Sequence, residues 1–275
     1  MKKFAFVFSL SALSLLFMTP SCRKYGGPVP HPHHYDTLCQ VTQLRVEGLY
    51  GLQRYGISYN AHGNPISMVV DSINPNATSA LNFYYRYDSS KRLSEQIVAG
   101  LLSSGASIWH KYVYAQPDFI IDTVLRFNVE DPSSLPGTNG PTPSSPQAYY
   151  YTIAGYTLDT YGRVVKVWSI PNDPSQPSTV VRTWSYDASG DRVLSNPGYA
   201  YDDKVNPYLT NTVWQFLNLD YSIHNVIRTD SSYTNVYNEY GLPVDLQNLL
   251  DFTEPVILFG VNNLGLGIRI SYSCD

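Results

Sequence analysis

The chain has 275 residues, with 18 Lys and Arg against 22 Asp and Glu, a formal net charge of -4. Charged residues make up only 15% of it and form no basic stripe, which excludes nucleic acid as a partner. Against 10 Phe and 4 Trp stand 24 Tyr; tyrosine favours strands and packs its ring with its hydroxyl kept wet, so a thin all-β structure is expected.

The N-terminus reads MKKFAFVFSLSALSLLFMTPSC. Two lysines precede an apolar run from Phe4 to Met18, and Thr19-Pro20-Ser21 lead to Cys22. This is the pattern of a secretory signal over residues 1–21. The run is too short and wrongly flanked for a membrane-spanning helix, which needs about 20 apolar residues. A Cys directly after small residues resembles the lipobox of bacterial lipoproteins, with Thr19 standing where that family usually has Leu. The resemblance implies that Cys22 is diacylated, becomes the mature N-terminus and anchors the chain to the outer membrane through lipid. Both the periplasmic and the outward face of that membrane stay open. Residues 22–36 come next as a tether rich in Gly and Pro. Its histidines, His31, His33 and His34, lack a carboxylate or Cys cluster and read as a solvated spacer rather than a metal site.

With Cys22 acylated, Cys39 and Cys274 remain, near the two ends of residues 37–275, which read as a single domain. An exported protein can keep such a pair as a disulfide. Two unpaired thiols at distant ends of an elongated sheet are the other possibility.

A repeat runs through this domain. The segments ISYNAHGNPI (57–66), YRYDSSKRL (85–93), YTLDTYGRV (156–164), WSYDASGDRV (184–193) and VYNEYGLPV (236–244) share one pattern. An aromatic residue or Leu precedes Asp or Asn, then come two variable residues and usually Gly. The leading residues are Tyr59, Tyr87, Leu158, Tyr186 and Tyr237, with Tyr114 and its Gln-Pro-Asp turn as a weaker member. Where no insertion intervenes they recur at roughly 28-residue intervals, the mark of a repeat architecture. Residues before each leader alternate with the period of a half-buried strand: Tyr55, Ile57 and Tyr59; Leu81, Phe83, Tyr85 and Tyr87; Val180, Arg182, Trp184 and Tyr186.

The turns have a mechanism. An Asp or Asn at the start (Asp88, Asp159, Asp187, Asn238) accepts a hydrogen bond from the backbone two residues on. A Gly three residues later (Gly63, Gly162, Gly190, Gly241) supplies the positive φ that closes a type I turn with a bulge. Lys91 occupies that position in the second copy, so a strained or differently shaped turn is expected there. Asp191 is expected to be an exposed residue entering the return strand from Val193.

These features resemble the tyrosine-aspartate or RHS-type repeat in a short lipoprotein form. Tyr87-Asp88, Leu158-Asp159 with Gly162-Arg163-Val164, Tyr186-Asp187 with Gly190, and Tyr237-Asn238 with Gly241-Leu242 carry the resemblance. It covers roughly Tyr55 to Val244 and implies an open, curved antiparallel meander of twisted hairpins, without implying an activity. The segment Tyr201-Asp202-Asp203-Lys204 with Asn206-Pro207-Tyr208 also resembles uncharacterised lipoproteins of this kind. A short helix is expected near residues 211–219.

No motif for chemistry stands out. Asp187, Ser189 and Asp191 echo a calcium loop but lack its further carboxylates. No nucleophile elbow or zinc motif occurs, and the glycines of residues 259–270 lack the Lys-Ser/Thr ending of a phosphate loop. His62, His110 and His224 read as isolated polar residues. No cofactor and no metal are expected. The resulting expectation is a non-enzymatic cell-envelope lipoprotein with a structural or partner-binding role. The alternative is a glycan-binding lipoprotein that stacks sugars on Tyr84, Trp109 or Trp168, and an exported hydrolase ranks last.

Overall fold

The structure, a computed structural model, describes residues 39–48, 51–73, 81–100, 107–127, 151–229, 234–247, 257–258, 261–262 and 265–274. The signal segment, Cys22 and the tether lie outside these residues.

The strands are β1 (Gln40–Gly48), β2 (Gly51–Tyr59), β3 (Pro65–Ile73), β4 (Leu81–Tyr87), β5 (Leu93–Gly100), β6 (Ser107–Gln116), β7 (Phe119–Phe127), β8 (Tyr151–Leu158), β9 (Val164–Ile170) and β10 (Thr179–Thr183). They pair in sequence order as an antiparallel meander. Next come β11 (Tyr199–Val205), a 3-10 turn (Pro207–Thr210), helix α1 (Thr212–Asn218) and β12 (His224–Arg228). The chain then returns through β13 (Val236–Tyr237), β14 (Pro243–Gln247), β15 (Ile257–Leu258), β16 (Val261–Asn262) and β17 (Gly265–Ser273). β17 lies against β1, with β14 and β13 beyond it, which makes a sheet of 13 strands among the described residues. Its edges are β10 and β13, and it is not closed. β11 pairs with β12, and β15 with β16, outside it.

The expected strand alternation sets the two faces. Tyr55, Met68 and Phe83 share the inner face with Leu44, Ile268 and Leu246. Helix α1 lies on that face. Trp214, fully buried, meets Tyr85 edge to face, and Phe216 meets both Tyr112 and Tyr156 in the same way. One short helix thus touches β4, β6 and β8, which requires the inner face to curve around it. Asn211 caps the helix, its side chain accepting from the Val213 N–H, and its amide also donates to the Gly63 carbonyl at 2.8 Å.

The tyrosines do more than the composition suggests. Many are buried rather than wet, and several of their hydroxyls find backbone partners. The return strands β3, β5, β9 and β14, which follow Asp or Asn turns, each begin with a residue whose backbone bonds a tyrosine hydroxyl. Tyr87 donates to the Pro65 carbonyl, Tyr114 to Leu93 at 3.0 Å and Tyr272 to Pro243 at 2.8 Å. The Tyr221 hydroxyl hydrogen-bonds the Val164 backbone. Tyr59 donates in the same manner to the Val41 carbonyl at 2.8 Å. A register shift at each of these strand starts loosens the ladder, and a phenol reaching from elsewhere supplies a further bond where the ladder is weakest. Burial pushes the hydroxyls of Tyr55 and Tyr114 up to about 12, so they remain donors at any ordinary pH.

All five turns share one shape. Side chains of Asn60, Asp88, Asp159, Asp187 and Asn238 each accept from the backbone N–H two and four residues on. Gly63, Gly162, Gly190 and Gly241 have φ between 74° and 88°. Lys91 adopts φ 64° and keeps the same backbone bonds, Lys91 N–H to Asp88 O and Asp88 N–H to Arg92 O. The second turn is therefore strained but not differently shaped. The Asp88 side chain, which holds Ser90, Arg92 and the Arg92 guanidinium, keeps Lys91 in a left-handed conformation that costs an L-residue about 1–2 kcal/mol. Lys91→Gly is accordingly expected to stabilise the protein by about 1 kcal/mol, read as a rise in the thermal unfolding midpoint; an unchanged or lower midpoint would contradict the strain.

The fourth hairpin of the expected series differs. β10 ends at Thr183, its five residues are all exposed, and its register shifts between Val180 and Arg182. Tyr186 does not end a strand, and Val193 does not begin one: Tyr186 makes a single bridge to Arg192. The turn between Asp187 and Gly190 stands apart from the main sheet because its surroundings have been given to another segment.

Candidate functional site

That segment is 204–224, the stretch from the end of β11 through α1 to the start of β12. Four of the turns converge on it. Asn211 reaches Gly63, Tyr221 reaches Val164, Gly241 lies against Val205 and Lys204, and Gly190 lies against Ile223. Gly190 has φ 88°, and a Cβ there would come within 2.6 Å of the Ile223 Cδ1, so the two residues pack closely. The predicted turn residues Gly63, Gly162, Gly190 and Gly241, with Asp88, Asp159, Asp187 and Asn238, therefore gather along one end of the sheet.

Two of those turns are also tied to the next unit. Arg92 pairs with Asp88 at 2.7 Å and stacks over the Tyr114 ring. Arg163 pairs with Asp159 at 2.8 Å and stacks over Tyr186. In the turn after Tyr186 the corresponding residue is Asp191, which cannot pair with Asp187.

Asp191 turns inward instead. It is 3% exposed, contrary to the expectation of an exposed residue. Its Oδ1 accepts from the backbone N–H groups of Ile223 and His224, both at 2.9 Å, and its Oδ2 lies 2.7 Å from His224 Nδ1. Beside it the Ser222 hydroxyl, fully buried, accepts from the Arg192 N–H and shares a hydrogen bond with the Tyr201 hydroxyl. The Tyr201 hydroxyl also donates to the Arg192 carbonyl. Asp220 in turn receives Ser222 N–H and the Asn206 amide. Asp191, Ser222 and His224 have the residue types of a hydrolase triad, but their bonds lock a loop in place. A serine held by two partners with no exposure offers no nucleophile to a substrate.

A second Asp–His pair lies on the inner face. Asp122, 1% exposed, accepts through Oδ2 from His110 Nδ1 at 2.9 Å and from the Tyr156 hydroxyl at 3.1 Å. Its Oδ1 is buried without a partner among the described residues. His110 stacks on Tyr112, whose hydroxyl donates to Gln96, and Phe216 covers Tyr112 and Tyr156 from α1. Burial, and then the Asp122 carboxylate beside it, hold the Tyr156 hydroxyl protonated well above the ordinary tyrosine range. The group joins β6, β7 and β8 beneath the helix. Among the described residues no three His, Cys, Asp or Glu side chains come together as a metal site.

Reading single histidines misses both pairs. For His110 a signal exists: the β6–β7 hairpin turns at 117–118, and its register sets Tyr112 opposite Asp122, one diagonal step from His110. For Asp191 there is none, because His224 lies across an insertion.

Two of the outer-face aromatics are covered rather than exposed. Tyr84 and Trp109 are 4% and 8% exposed. The Trp109 N–H donates to Glu95, which Arg86 also pairs, while Lys111 covers the ring. Trp168 is half-buried, with its N–H on Thr157. Tyr237 donates to Asp202, fixing β13 to β11. Cys39 and Cys274 are joined as a disulfide, with their Cα atoms 4.0 Å apart.

The sequence matches no protein-family model and no curated protein. Among solved structures, a porin-like protein from Bacteroides vulgatus is similar at a TM-score of 0.38 and 14% identity, covering 85% of this chain and 98% of that one.

Proposed function

We propose that this chain is a lipid-anchored protein of the outer membrane with a structural or partner-binding role and no catalytic activity. The observation that carries the non-catalytic reading is the use made of Asp191, Ser222 and His224. These are residues of the types chemistry would need, and they are spent on fixing the 204–224 segment to a turn. The anchor rests on the Met1–Cys22 pattern of charged start, apolar run and small residues before a cysteine. Partner binding is supported by β10, an edge strand whose backbone is paired on one side only among the described residues and whose Val180 and Val181 are exposed.

The anchor is tested by expressing the full chain and its Cys22→Ala variant in a diderm bacterium and fractionating the cells. Wild type is expected in the membrane fraction, with an intact mass equal to the chain from Cys22 plus its acyl groups. Cys22→Ala is expected in the soluble fraction. A variant that stays with the membrane, or a wild-type mass without acyl groups, overturns the reading.

A further inference from the structure

The lipid anchor, if placed at Cys22, gives the sheet a direction. We propose that the end carrying the five turns faces the lipid surface and that Tyr161 and Tyr240 rest in its headgroup layer. This rests on the anchored reading above and adds to it an interaction surface and its partner, the bilayer itself.

The first support is where the chain enters. Cys39 precedes β1 at the end of the sheet where β2 finishes and the turn after Tyr59 begins, since β1 and β2 are antiparallel. The disulfide brings Cys274, after the last strand, to the same place. The chain between Cys22 and Cys39 is 16 residues long, and at no more than about 3.5 Å per residue its reach is bounded at about 60 Å. A strand of nine residues such as β1 spans roughly 30 Å. The turn-bearing end is thus where the anchored segment joins the sheet, and the opposite end lies about one strand length farther from that junction.

The second support is what the turns present. Their contacts with the 204–224 segment place Gly63, Val164, Gly190 and Gly241 around one feature, so the tips share one rim. The third residues of the turns are His62, Ser90, Tyr161, Ser189 and Tyr240, and of their side chains the Tyr161 ring meets the Arg163 guanidinium at 5.0 Å. Two of these are tyrosines, 49% and 36% exposed, in a protein that otherwise ties many of its tyrosine hydroxyls to backbone. An exposed phenol, apolar in the ring and polar at the tip, suits the boundary between headgroups and water. Of the rim's cations, Arg92 is paired with Asp88, Arg163 with Asp159 and Lys204 with Asp203, while Lys91 is exposed on its turn and the exposed carboxylates Asp187 and Glu239 lie on the neighbouring turns. Such a rim has no excess positive charge with which to select anionic lipid.

The test uses the full lipidated protein in phosphatidylethanolamine–phosphatidylcholine vesicles. Cysteines introduced one at a time as Tyr161→Cys, Tyr240→Cys and Thr152→Cys are labelled with an environment-sensitive fluorophore. Thr152 is exposed at the start of β8, at the end away from the turns. Because the native thiols are acylated or bridged, only the new one reacts. Headgroup-attached nitroxide lipid is expected to quench labels at 161 and 240 several-fold more than at 152, equally with and without added anionic lipid. Equal quenching at the two ends, or stronger quenching at 152, overturns the orientation while leaving the anchor standing. Protein that fails to float with the vesicles overturns the anchor and the orientation with it. Circular dichroism of each labelled variant confirms that the exposed substitutions leave the sheet intact.

Discussion

Asp191→Ala is expected to cost about 3–5 kcal/mol of stability, whereas Asp187→Ala in the same turn costs about 1 kcal/mol. The two aspartates are four residues apart and look interchangeable, but they do different work. Asp187 is exposed and accepts two backbone bonds inside its own turn. Removing it leaves N–H groups that water can reach. Asp191 is buried and accepts two backbone N–H groups and His224 from a segment 32 and 33 positions away. Its loss leaves those donors unpaired in the interior and releases β12 from the turn. Urea unfolding followed by tryptophan fluorescence reads the difference directly. Asp191→Asn, which keeps one acceptor oxygen for the two N–H groups, is expected to fall between the two. A smaller loss for Asp191→Ala than for Asp187→Ala would show that the clamp contributes nothing.

Reduction of the Cys39–Cys274 disulfide is expected to remove up to about 5 kcal/mol, the chain-entropy value for a loop of 235 residues. The bond joins the first strand of the sheet to the last. β1 and β17 are neighbours inside the sheet, so all ten strands of the meander lie on one side of that seam and β17, β14 and β13 on the other. Without the bridge, this pairing must close nearly the whole chain as one loop. Cys39 packs against Val205 and Leu242, so its replacement also opens contacts between the seam and the 204–224 segment. The double variant Cys39→Ser with Cys274→Ser separates the two effects from those of the reductant. Intact mass measured with and without reductant under denaturing conditions checks the bond itself. An unfolding midpoint that does not move on reduction would mean that the seam holds by its ladder alone.

Much of this architecture is legible in the amino-acid order, for a local reason. A strand shows itself by alternation over seven to ten residues, and a turn by an Asp or Asn with glycine three residues later. Both signals sit inside one unit, so Tyr85 with Tyr87, or Asp159 with Gly162, need no knowledge of their distant neighbours. The helix expected near 211–219 is legible for the same reason: Asn211 can cap the residues after it, and α1 runs Thr212–Asn218. Lys91 stands out as an irregularity, and the turn geometry around it is strong enough to impose φ 64° on a lysine.

The misreadings share an opposite cause. Tyr186 and Val193 look like their siblings in other units, yet the strands they should form are absent because the turn packs against Ile223 instead. Tyr84 and Trp109 lie on the outer face as alternation requires, but their burial depends on Ile97, Ala99 and Leu125 from adjacent strands. Which tyrosine bonds which strand start is equally hidden, since Tyr221 from the insertion bonds the Val164 backbone where a repeat residue would be expected.

By itself the sequence determined the strands, the turns that separate them and the side of each strand that is apolar, because those depend on side-chain chemistry within a few residues. Only the tertiary structure decided that β17 enters beside β1, that four turns meet on one inserted segment, and that Asp191 leaves the role of a turn residue to hold that segment. Those outcomes depend on hydrogen bonds and packing between residues dozens to hundreds of positions apart, where a free energy of pairing exists but no local pattern records it.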